Sequence, residues 1–358
     1  MIKQHNAATD ASVAGPVRQV APAVRRRSIR DVALLAGVSV GTVSNVLNNP
    51  ELVATGTRDR VQRAIEDLGF VRNGSARQLR AGKSRAVGAI VLDIANPFFT
   101  EVTRGIEDRL RESNCLLVLC SSDDSVEKEA HYLGVLEEQR VRGLLITPAA
   151  RDVSQLQRLQ RLGTTVVLLD RTSPTAELCS VSVDDVHGGE LAGRHLLECG
   201  HRRIGFINGP RATRQCADRR RGLRKAVRAA GLDPDTVIHE VTTQTLNAEG
   251  GETALYSMLD AGAVPPEAIF CVNDITALGV LRGLLRRGLS VPGDIAVVGY
   301  DDVEFAAMLS TPLTSIRQPK YKLGQAAAEL LLAEPHLRHE QRLFQPELVI
   351  RESSQRLR

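Results

Sequence analysis

The sequence predicts an all-α head of three short helices, followed by a two-lobed α/β domain. Two observations lead to this fold class. Between residues 28 and 69, apolar residues recur at helical spacing and capping residues separate the periodic segments. From residue 86 onward, short apolar strands alternate with helical stretches in two successive series of four strands. That alternation is typical of parallel sheets covered by helices on both faces.

Charge is distributed unevenly along the 358 residues. Residues 1–85 hold 14 Lys and Arg and 6 Asp and Glu, whereas the remaining residues hold 32 basic and 36 acidic ones. A basic head on a mildly acidic body indicates contact with a polyanion, although a solvated basic tail is the alternative. Residues 1–27 lack periodicity and end in three arginines, so we expect a disordered tail there.

Composition argues against several classes of protein. No apolar run approaches the ~20 residues that a membrane span requires, and the N-terminus lacks the apolar core of a secretory signal. We therefore expect a cytoplasmic, nucleoid-associated protein. The 6 cysteines include no CxxC pair, and the 8 histidines include no HxH or HExxH spacing. Reduced, packed cysteines, no metal site and no cofactor are the expectation.

Capping residues delimit the three predicted head helices. Ser28 and Asp31 form a capping-box pattern at the start of the first helix, and Gly37 suits its left-handed end. Ser39 and Thr57 are expected to cap the second and third helices. A tight turn between the first two helices defines a helix-turn-helix unit, in which the second helix enters the major groove of DNA.

The stretch GVSVGTVSNVLNNP, residues 37–50, carries no charge although arginines surround it. Small side chains let a helix backbone approach DNA closely, and neutral hydroxyl and amide groups suit base edges or phosphate oxygens. The surrounding arginines would meet the phosphates: Arg30, Arg58, Arg60 and Arg63. Three helices that only pack together are the alternative, which leaves the small residues and the arginines unexplained.

Residues 73–85 form a basic segment long enough for only two helical turns, which is marginal for a helix in water. Leu79 would be exposed between Arg77 and Arg80. A segment that folds only against DNA and presents a leucine wedge to the minor groove fits this pattern. A flexible linker is the alternative.

The predicted strands of the body share short apolar runs and span residues 87–92, 116–120, 143–146, 166–169, 204–207, 237–241, 268–271 and 295–299. Ligands of such sheets bind beyond the carboxyl ends of the strands, here in the cleft between two lobes. Polar residues follow several strands at that edge: Asp93, Asp170, Arg171, Asn273 and Asp301. Together they suit sugar hydroxyls, with an aromatic ring against the apolar sugar face. Helix capping is the alternative for any single aspartate.

Several motifs together resemble the lactose/galactose repressor family. They are IRDVALLAGVSVGTVSNVLNN with the downstream RQL, and then DIANPFF, LLDRTSP, SVDDVHGGELAGRHLLECGHRRIGFINGP, VNDITALGVLRGLLRRGLSVPGDIAVVGYDD and TPLTSIRQP. The resemblance covers residues 28 to about 353. It implies a periplasmic-binding-protein-like effector domain, a double-stranded DNA operator with imperfect palindromic symmetry, a homodimer, and a small-molecule effector.

The resemblance also implies individual site residues. It assigns to DNA binding Ser28, Ile29, Arg30, Ser39, Val40, Gly41, Thr42, Ser44, Asn45, Asn48, Ala76 and Leu79. Ala76 matches the position where two hinge helices cross, and Leu79 matches the leucine that wedges into the central operator step. It assigns to the effector cleft Asp93, Phe98, Phe99, Asp170, Arg171, Arg219, Leu246, Asn273 and Asp301.

Three departures from the family pattern affect these expectations. Asn45 stands where many members carry an arginine, and asparagine prefers adenine where arginine prefers guanine. Arg72 replaces a common proline ahead of the hinge, and Leu246 replaces an aromatic that stacks on the ligand. The C-terminal leucine heptads of tetrameric members are absent, so a dimer is expected.

The expected domains are a tail (1–27), a helix-turn-helix domain (28–72), a hinge (73–85) and a two-lobed effector domain (86–358). Within the effector domain, the first lobe is expected at about 86–184 and 317–333, and the second at about 185–316 and 334–358. The predicted function is a dimeric repressor that a sugar or sugar derivative releases from its operator.

Other functions have less support. A repressor that needs a nucleobase corepressor is the main alternative, because Phe98 and Phe99 suit either ligand. A solute-binding protein would need a secretory signal. An enzyme is not expected, since no nucleophile elbow, phosphate loop or metal triad appears and capping explains Asp184 and Asp185. A redox role for Cys216 has little support, because no resolving cysteine neighbours it.

Overall fold

The computed structural model describes residues 27–71, 84–175, 177–261, 264–333 and 340–355. The chain divides between residues 82 and 83 into two compact units, a head and a body. The predicted tail up to residue 26 lies outside the described residues, as do Arg72, which precedes the predicted hinge, and Ala76 and Leu79 within that hinge. Among the residues described, no single helix is long and apolar enough to cross a membrane, and only the first two head helices taken as a bent pair reach that length and composition.

Residues 27–71, the described part of the head, form three α-helices, α1 (Ile29–Ala36), α2 (Val40–Asn48) and α3 (Thr55–Leu68). The axes of α1 and α2 differ in direction by 104°, which is the crossing expected of a helix-turn-helix pair. A small apolar core holds the three helices together and comprises Val32, Ala33, Ala36, Val43, Val46, Val61 and Ala64. Its small size follows from the valines and alanines that the helical periodicity places inside.

The predicted caps of the first two helices are confirmed. The Ser28 hydroxyl accepts from the Asp31 N–H at 3.4 Å, and the Asp31 carboxylate accepts from the Ser28 N–H at 2.7 Å, which completes the capping box. Gly37 ends α1 with a φ of 63°, a conformation that a side chain would strain. The Ser39 hydroxyl accepts from the Thr42 N–H at 3.0 Å at the start of α2.

The predicted start of the third helix was wrong. Helix α3 begins at Thr55, with Ala54 at the N-cap and no side-chain cap, and Thr57 lies inside the first turn. A short 3₁₀ turn at Pro50–Leu52 followed by the extended Val53 brings the chain into helical geometry three residues earlier than the hydroxyl pattern indicated. The predicted end at Gly69 is confirmed by its φ of 55°.

In the ranges that the structure describes, the body contains two six-stranded sheets. Its strands in chain order are β1 (Ala86–Val91), β2 (Leu116–Ser121), β3 (Gly143–Ile146), β4 (Thr165–Leu169), β5 (Cys179–Val183), β6 (Ile204–Asn208), β7 (Ile238–Thr242), β8 (Ala268–Cys271), β9 (Ala296–Asp301), β10 (Thr314–Arg317), β11 (Gln341–Phe344) and β12 (Glu347–Val349). Its helices are α4 (Pro97–Glu112), α5 (Val126–Glu138), α6 (Ser154–Arg161), α7 (Asp185–Glu198), α8 (Arg214–Ala229), α9 (Pro234–Val237), α10 (Ala248–Asp260), α11 (Asp274–Arg286) and α12 (Lys320–Leu332).

Each sheet forms the centre of one lobe. The first sheet has the order β11-β5-β4-β3-β1-β2 and is parallel throughout. The second has the order β12-β10-β9-β8-β6-β7, with β12 antiparallel to β10 and the other strands parallel. The chain passes between the sheets three times: after β5, after β10 and after β11. The carboxyl ends of both sets of parallel strands therefore carry the residues predicted to bind an effector.

The eight predicted strands are all present with ends shifted by at most two residues, and the two sheets contain four further strands. Strand β5 alternates serine with valine and does not form an apolar run, and β10, β11 and β12 have only three or four residues each. The lobe boundary also requires a correction: residues 334–358 were expected in the second lobe, whereas β11 pairs with β5 in the first sheet.

Helix α7 begins at Asp185, directly after its N-cap Asp184, where the paired aspartates indicated a helix start. Two adjacent glycines, Gly188 and Gly189, lie in its first half although glycine lowers helix propensity. The structure explains their presence: a Cβ at Gly189 would lie 2.1 Å from the Arg219 carbonyl oxygen, and a Cβ at Gly188 would lie 2.1 Å from the Tyr300 hydroxyl. Gly189 thus lets α7 contact the backbone of α8 directly.

Helices α4 and α12 of the first lobe pack in the same manner. A Cβ at Gly105 would lie 2.1 Å from the Tyr321 carbonyl oxygen, and a Cβ at Gly324 would lie 2.0 Å from the Val102 carbonyl oxygen. Both obstacles are backbone atoms, which cannot rotate away. The two helices are thus held at a separation that only glycine permits.

We expect Gly105→Ala to lower the free energy of unfolding of the body by about 1–3 kcal/mol, because the added methyl overpacks a backbone contact. Urea unfolding followed by circular dichroism measures this change. Gly134→Ala in α5 is the matched control, since no atom lies within 4 Å of its Cβ position. Equal stability of the two variants would contradict the close packing of α4 and α12.

Candidate DNA-binding and effector sites

The exposed face of α2 is the candidate DNA-binding surface of the head. Val43 and Val46 anchor the helix in the head core, and the opposite face carries no charged side chain. The predicted DNA-facing residues of this helix are exposed or half-buried: Val40, Gly41, Thr42, Ser44, Asn45 and Asn48. The Cβ position of Gly41 meets only the Ser39 hydroxyl, at 3.5 Å. The surface is therefore flat enough for close contact with a base-pair edge.

Local hydrogen bonds fix several of these polar groups. The Asn48 amide donates to the Ser44 carbonyl oxygen at 2.9 Å, and the Ser39 and Thr42 hydroxyls lie 2.9 Å apart. Asn45 is exposed, and among the described residues its amide makes no hydrogen bond. The side-chain N–H donor and C=O acceptor of Asn45 are therefore both available, as a bidentate contact with adenine requires.

The remaining predicted DNA contacts of the head have different environments. Ser28 is exposed and engaged in the capping box, Arg30 is exposed, and Ile29 is half-buried against the head core. Residues 27–71 contain five arginines and five acidic residues, so this part of the chain has no net charge. The basic excess of the N-terminal 85 residues consequently belongs to the segments that flank it in the sequence.

We expect Gly41→Ala to weaken operator binding several-fold while raising head stability by up to about 1 kcal/mol, because alanine favours the helix but fills the contact surface. Fluorescence anisotropy with labelled operator DNA measures binding, and thermal unfolding measures stability. Gly134→Ala, the same change on the body, should leave operator affinity unaltered. Unchanged affinity in Gly41→Ala would remove this face from the DNA interface.

A buried cluster of charged residues lies at the carboxyl ends of the strands of the body. We define the buried carboxylate cluster as Asp170, Asp185, Arg219 and Asp301, each no more than 7 % exposed. The Arg219 Nε donates to Asp185 Oδ1 at 2.8 Å, and Arg219 Nη2 lies 3.9 Å from Asp301 Oδ1. The guanidinium also lies 3.6 Å from the centroid of the Tyr300 ring. One arginine thus compensates several buried carboxylates.

Gln215 connects this cluster across the two lobes. It lies on α8 of the second lobe, and its Nε2 donates to Asp170 Oδ2 at 2.9 Å and to the Asp170 carbonyl oxygen at 2.7 Å. Asp170 follows β4 of the first lobe and has a φ of 55°. Its other carboxylate oxygen, Oδ1, has no hydrogen-bond partner among the described residues. The bridge therefore leaves one oxygen of the Asp170 carboxyl group, at the lobe junction, without a hydrogen bond among the described residues.

Burial changes the protonation of the cluster. Burial, reinforced by the Asp185 charge, raises the pKa of Asp170 to about 8, although Arg219 opposes the change. Burial also raises the pKa of Asp301 to about 6, again against the influence of Arg219. The pKa of Asp185 is raised by burial as well. Asp170 therefore retains its proton at neutral pH, which reduces repulsion among the three carboxylates.

We expect the body to lose stability as pH rises from about 4 towards 8, since folded Asp170 keeps a proton that an unfolded aspartate releases near pH 3.9. Asp170→Asn, which cannot titrate, should flatten this dependence. Urea unfolding at pH 5, 6, 7 and 8 provides the free energies. Asp260→Asn, on an exposed residue paired with Arg287, should keep the parent profile. Identical profiles for parent and Asp170→Asn would contradict the assignment.

The other predicted effector residues occupy three separate positions. Asn273 is the N-cap of α11: its Oδ1 accepts from the Thr276 N–H at 2.8 Å. Its Nδ2 donates to the Leu246 carbonyl oxygen at 3.1 Å. Phe98 and Phe99 pack edge to face at 5.0 Å inside the core of the first lobe. Asp93 is half-buried and accepts from the Ala95 N–H at 2.8 Å. Ligand contact by these residues stays a prediction.

A cavity of about 420 Å³ lies between the lobes. Residues 124, 148–151 and 171 line it from the first lobe, and residues 211–214, 217, 218 and 221 line it from the second. Arg171 is the predicted effector residue among them; its guanidinium donates to the carbonyl oxygens of Ala150 at 2.7 Å and Arg151 at 2.8 Å. The cavity has the size of a small-molecule site.

Sequence reasoning missed several residues of this region. Asp184 caps α7 as expected, accepting from the His187 N–H at 2.9 Å, but Asp185 is the partner of Arg219 and not a cap. Two adjacent aspartates at a helix start could have indicated one cap and one inward charge. Gln215 and the other cavity arginines carried no recognisable pattern. Burial raises the pKa of the Cys216 thiol to about 12, which argues against a reactive thiolate there.

A helix-turn-helix head with a neutral contact face and a two-lobed body with an interlobe cavity define a ligand-responsive DNA-binding regulator. The profile of "Bacterial regulatory proteins, lacI family" matches residues 28–73, and that of "Periplasmic binding protein-like domain" matches residues 194–354. The HTH-type transcriptional repressor PurR of Aliivibrio salmonicida is 35% identical over 336 residues, which cover 92% of this chain and 99% of PurR.

Solved structures show the same similarity. The operator-bound lac repressor dimer with the anti-inducer ONPF has a TM-score of 0.80 and 28% identity, over 92% of this chain and 99% of that one. A LacI family regulator from Enterococcus faecium with bound ribose has a TM-score of 0.69 and 31% identity, over 76% of this chain and 100% of that one. The chain belongs to the LacI family of bacterial regulatory proteins, and it is a DNA-binding transcription regulator.

Proposed function

We propose that this regulator is a homodimeric repressor whose operator affinity changes when a small molecule occupies the cavity between its lobes. One observation carries the proposal: the body has a polar junction between lobes, centred on the Gln215–Asp170 bridge, next to a cavity of about 420 Å³. Polar contacts between the lobes can be exchanged for contacts with a ligand, so the two lobes can adopt more than one relative arrangement. A ligand that prefers one arrangement shifts the population towards it.

Three further hydrogen bonds span the same junction. Arg151 of the first lobe donates to the carbonyl oxygens of Arg211 at 2.8 Å and Ala212 at 3.3 Å in the second. The Thr213 hydroxyl donates to Asp124 Oδ2 at 3.3 Å. All three contacts border the cavity or adjoin it. A ligand bound there would replace or reinforce them, which gives it the differential affinity that allosteric control requires.

The operator is proposed to be an imperfect palindrome, because a two-fold dimer presents two identical reading helices. Helix α2 would read each half-site, with Asn45 favouring adenine over the guanine that an arginine would select. Residues 73–85 are proposed to form the hinge, in which Ala76 permits two hinge segments to cross and Leu79 enters the central step. The protein is proposed to bind without catalysing a reaction.

A sugar or sugar derivative is the proposed effector. The relative from Enterococcus faecium was solved with bound ribose, and another family member was solved as a cellobiose complex. Aspartate and asparagine side chains at the strand ends suit sugar hydroxyls. A nucleobase corepressor has less support, because Leu246 offers no aromatic face, whereas the burial of Phe98 and Phe99 affects a sugar and a nucleobase equally.

The test is to mix the purified protein with fragmented genomic DNA of its source and to sequence the retained fragments, with and without a panel of sugars and nucleobases. We expect enrichment of a palindrome with a flexible central step, and its loss in the presence of one sugar. Leu79→Ala should abolish most of the enrichment, while the surface variant Arg158→Gln should not. Enrichment only in the presence of a nucleobase would favour the corepressor alternative, and no enrichment under any condition would refute the proposal.

A further inference from the structure

We propose that the effector carries a phosphate group, as a phosphate monoester of a sugar or sugar derivative, and that the arginines of the interlobe cavity bind this group. The inference rests on the proposed function, in which the cavity is the effector site. It goes further because it assigns the charge of the ligand and the residues that recognise it. The neutral sugars that relatives bind do not require such a set of cations.

The cavity lining has an excess of positive charge, although one of its arginines, Arg211, pairs at 3.5 Å with Glu240 outside the lining. Five arginines line it, against two aspartates, Asp124 and Asp218. The arginines come from both lobes: Arg151, Arg171, Arg211, Arg214 and Arg221. A concave site lined by one sign of charge attracts ligands of the opposite sign, because its low-dielectric walls concentrate the field.

The two aspartates do not neutralise this excess. Asp218 pairs with Arg214 at 2.7 Å and with Arg221 at 3.1 Å, so one carboxylate serves two guanidinium groups. Asp124 accepts from Thr213, and burial raises its pKa. Neither carboxylate pairs with an arginine of the first lobe. The positive charge of the first-lobe wall is therefore uncompensated within the cavity.

Arg151 and Arg171 are the most informative cations. Arg171 donates to the carbonyl oxygens of Ala150 and Arg151, and Arg151 donates to those of Arg211 and Ala212. Across the described ranges, neither forms an ion pair with a carboxylate. Carbonyl oxygens orient a guanidinium without cancelling its charge, and each arginine has five N–H donors, of which two are used here. Donors thus remain for a ligand.

The environment of Arg171 shows the electrostatic cost of this arrangement. Burial, followed by the Arg214 and Arg151 charges, lowers the pKa of its guanidinium. The buried Glu129 only partly opposes this, since its carboxylate is bonded to the Ala149 N–H at 2.6 Å. Cations that repel one another across a cavity are stabilised by an anion placed between them. An anionic ligand between these arginines would therefore offset their mutual repulsion.

Helix α8 strengthens the site. Its N-cap residue Thr213 makes no side-chain capping bond, and both Thr213 and the first helical residue, Arg214, line the cavity. The positive end of the helix dipole and its open N–H groups therefore face the same region as the arginines. The positive charge of the lining and the backbone N–H donors of α8 both favour an anionic ligand.

A phosphate monoester fits these features better than a carboxylate. It carries a charge of about −1.5 to −2 at pH 7 and three acceptor oxygens, which can bond several arginine forks at once. The cavity volume of about 420 Å³ accommodates a small phosphorylated sugar. The lining also holds the carboxylate of Asp124, which suits a sugar hydroxyl, beside the arginines suited to phosphate.

The experiment uses the full chain and isothermal titration calorimetry at constant ionic strength. The probes are inorganic phosphate, ribose 5-phosphate and glucose 6-phosphate, each compared with chloride or the parent sugar. We expect phosphate to bind measurably, and at least one ester to bind about tenfold or more tightly than its parent sugar, as charge-assisted hydrogen bonds imply.

Arg214→Gln is the main variant, because its side chain is 55% exposed and its loss should not impair folding. It should weaken phosphate and ester binding about tenfold, the loss expected for one charge-assisted contact. Arg158→Gln is the matched control: Arg158 is 52% exposed and also pairs at 2.7 Å with a carboxylate, but it lies outside the cavity lining. Asp218→Asn should strengthen binding, because it frees two cations, a gain that a purely structural role would not produce.

Operator retention, measured in parallel, separates the two proposals. Parent sugars that bind as tightly as their esters, with no effect of Arg214→Gln, would overturn the phosphate inference and leave the cavity as an effector site. A second outcome is a protein that retains operator DNA but binds neither phosphate, nor the esters, nor the parent sugars. That result would overturn the phosphate inference and also the proposed response of the regulator to a ligand in the cavity. Loss of operator retention itself would instead refute the proposed function.

Discussion

The ion pair between Arg219 and Asp185 fixes helix α8, on which every other feature of the body site depends. Two glycine contacts make the pair possible: Cβ positions at Gly189 and Gly222 would meet the backbone of the facing helix at 2.1 and 2.0 Å. Helices α7 and α8 are thereby held close enough for a short buried ion pair. Since a buried charge without a partner is strongly destabilising, helix position and electrostatics determine each other.

Helix α8 presents different groups on different faces. Gln215 and Arg219 are four residues apart and face the buried carboxylate cluster, whereas Arg214, Asp218 and Arg221 line the cavity. The spacing follows from the 3.6-residue period of the helix. A movement of α8 relative to the first lobe therefore alters the Gln215–Asp170 bridge and the arginine cavity together. Under the proposed function, this coupling would let occupancy of the cavity change the arrangement of the lobes.

Local sequence patterns predicted the head well and the body site only in part. Capping residues act within three or four positions, so Ser28, Gly37 and Ser39 could be assigned from the sequence, and only the hydroxyl at Thr57 misled. Strand β5 alternates serine with valine and was missed for that reason. The roles of Asp185 and Gln215 depend on which helices meet in space, and a single sequence does not contain that information. Family resemblance, not periodicity, supplied Arg219.

The distribution of charge explains how one chain separates sequence reading from electrostatic attraction. Residues 27–71 contain equal numbers of arginines and acidic residues, so we expect α2 to contact DNA through shape and hydrogen bonds. Residues 72–85 contain five basic residues and no acidic ones, and they lie in sequence between head and body. Phosphate contacts supply much of the affinity for DNA and its salt dependence. A rearrangement of the body transmitted through this segment would act on affinity first, leaving the reading surface of α2 intact.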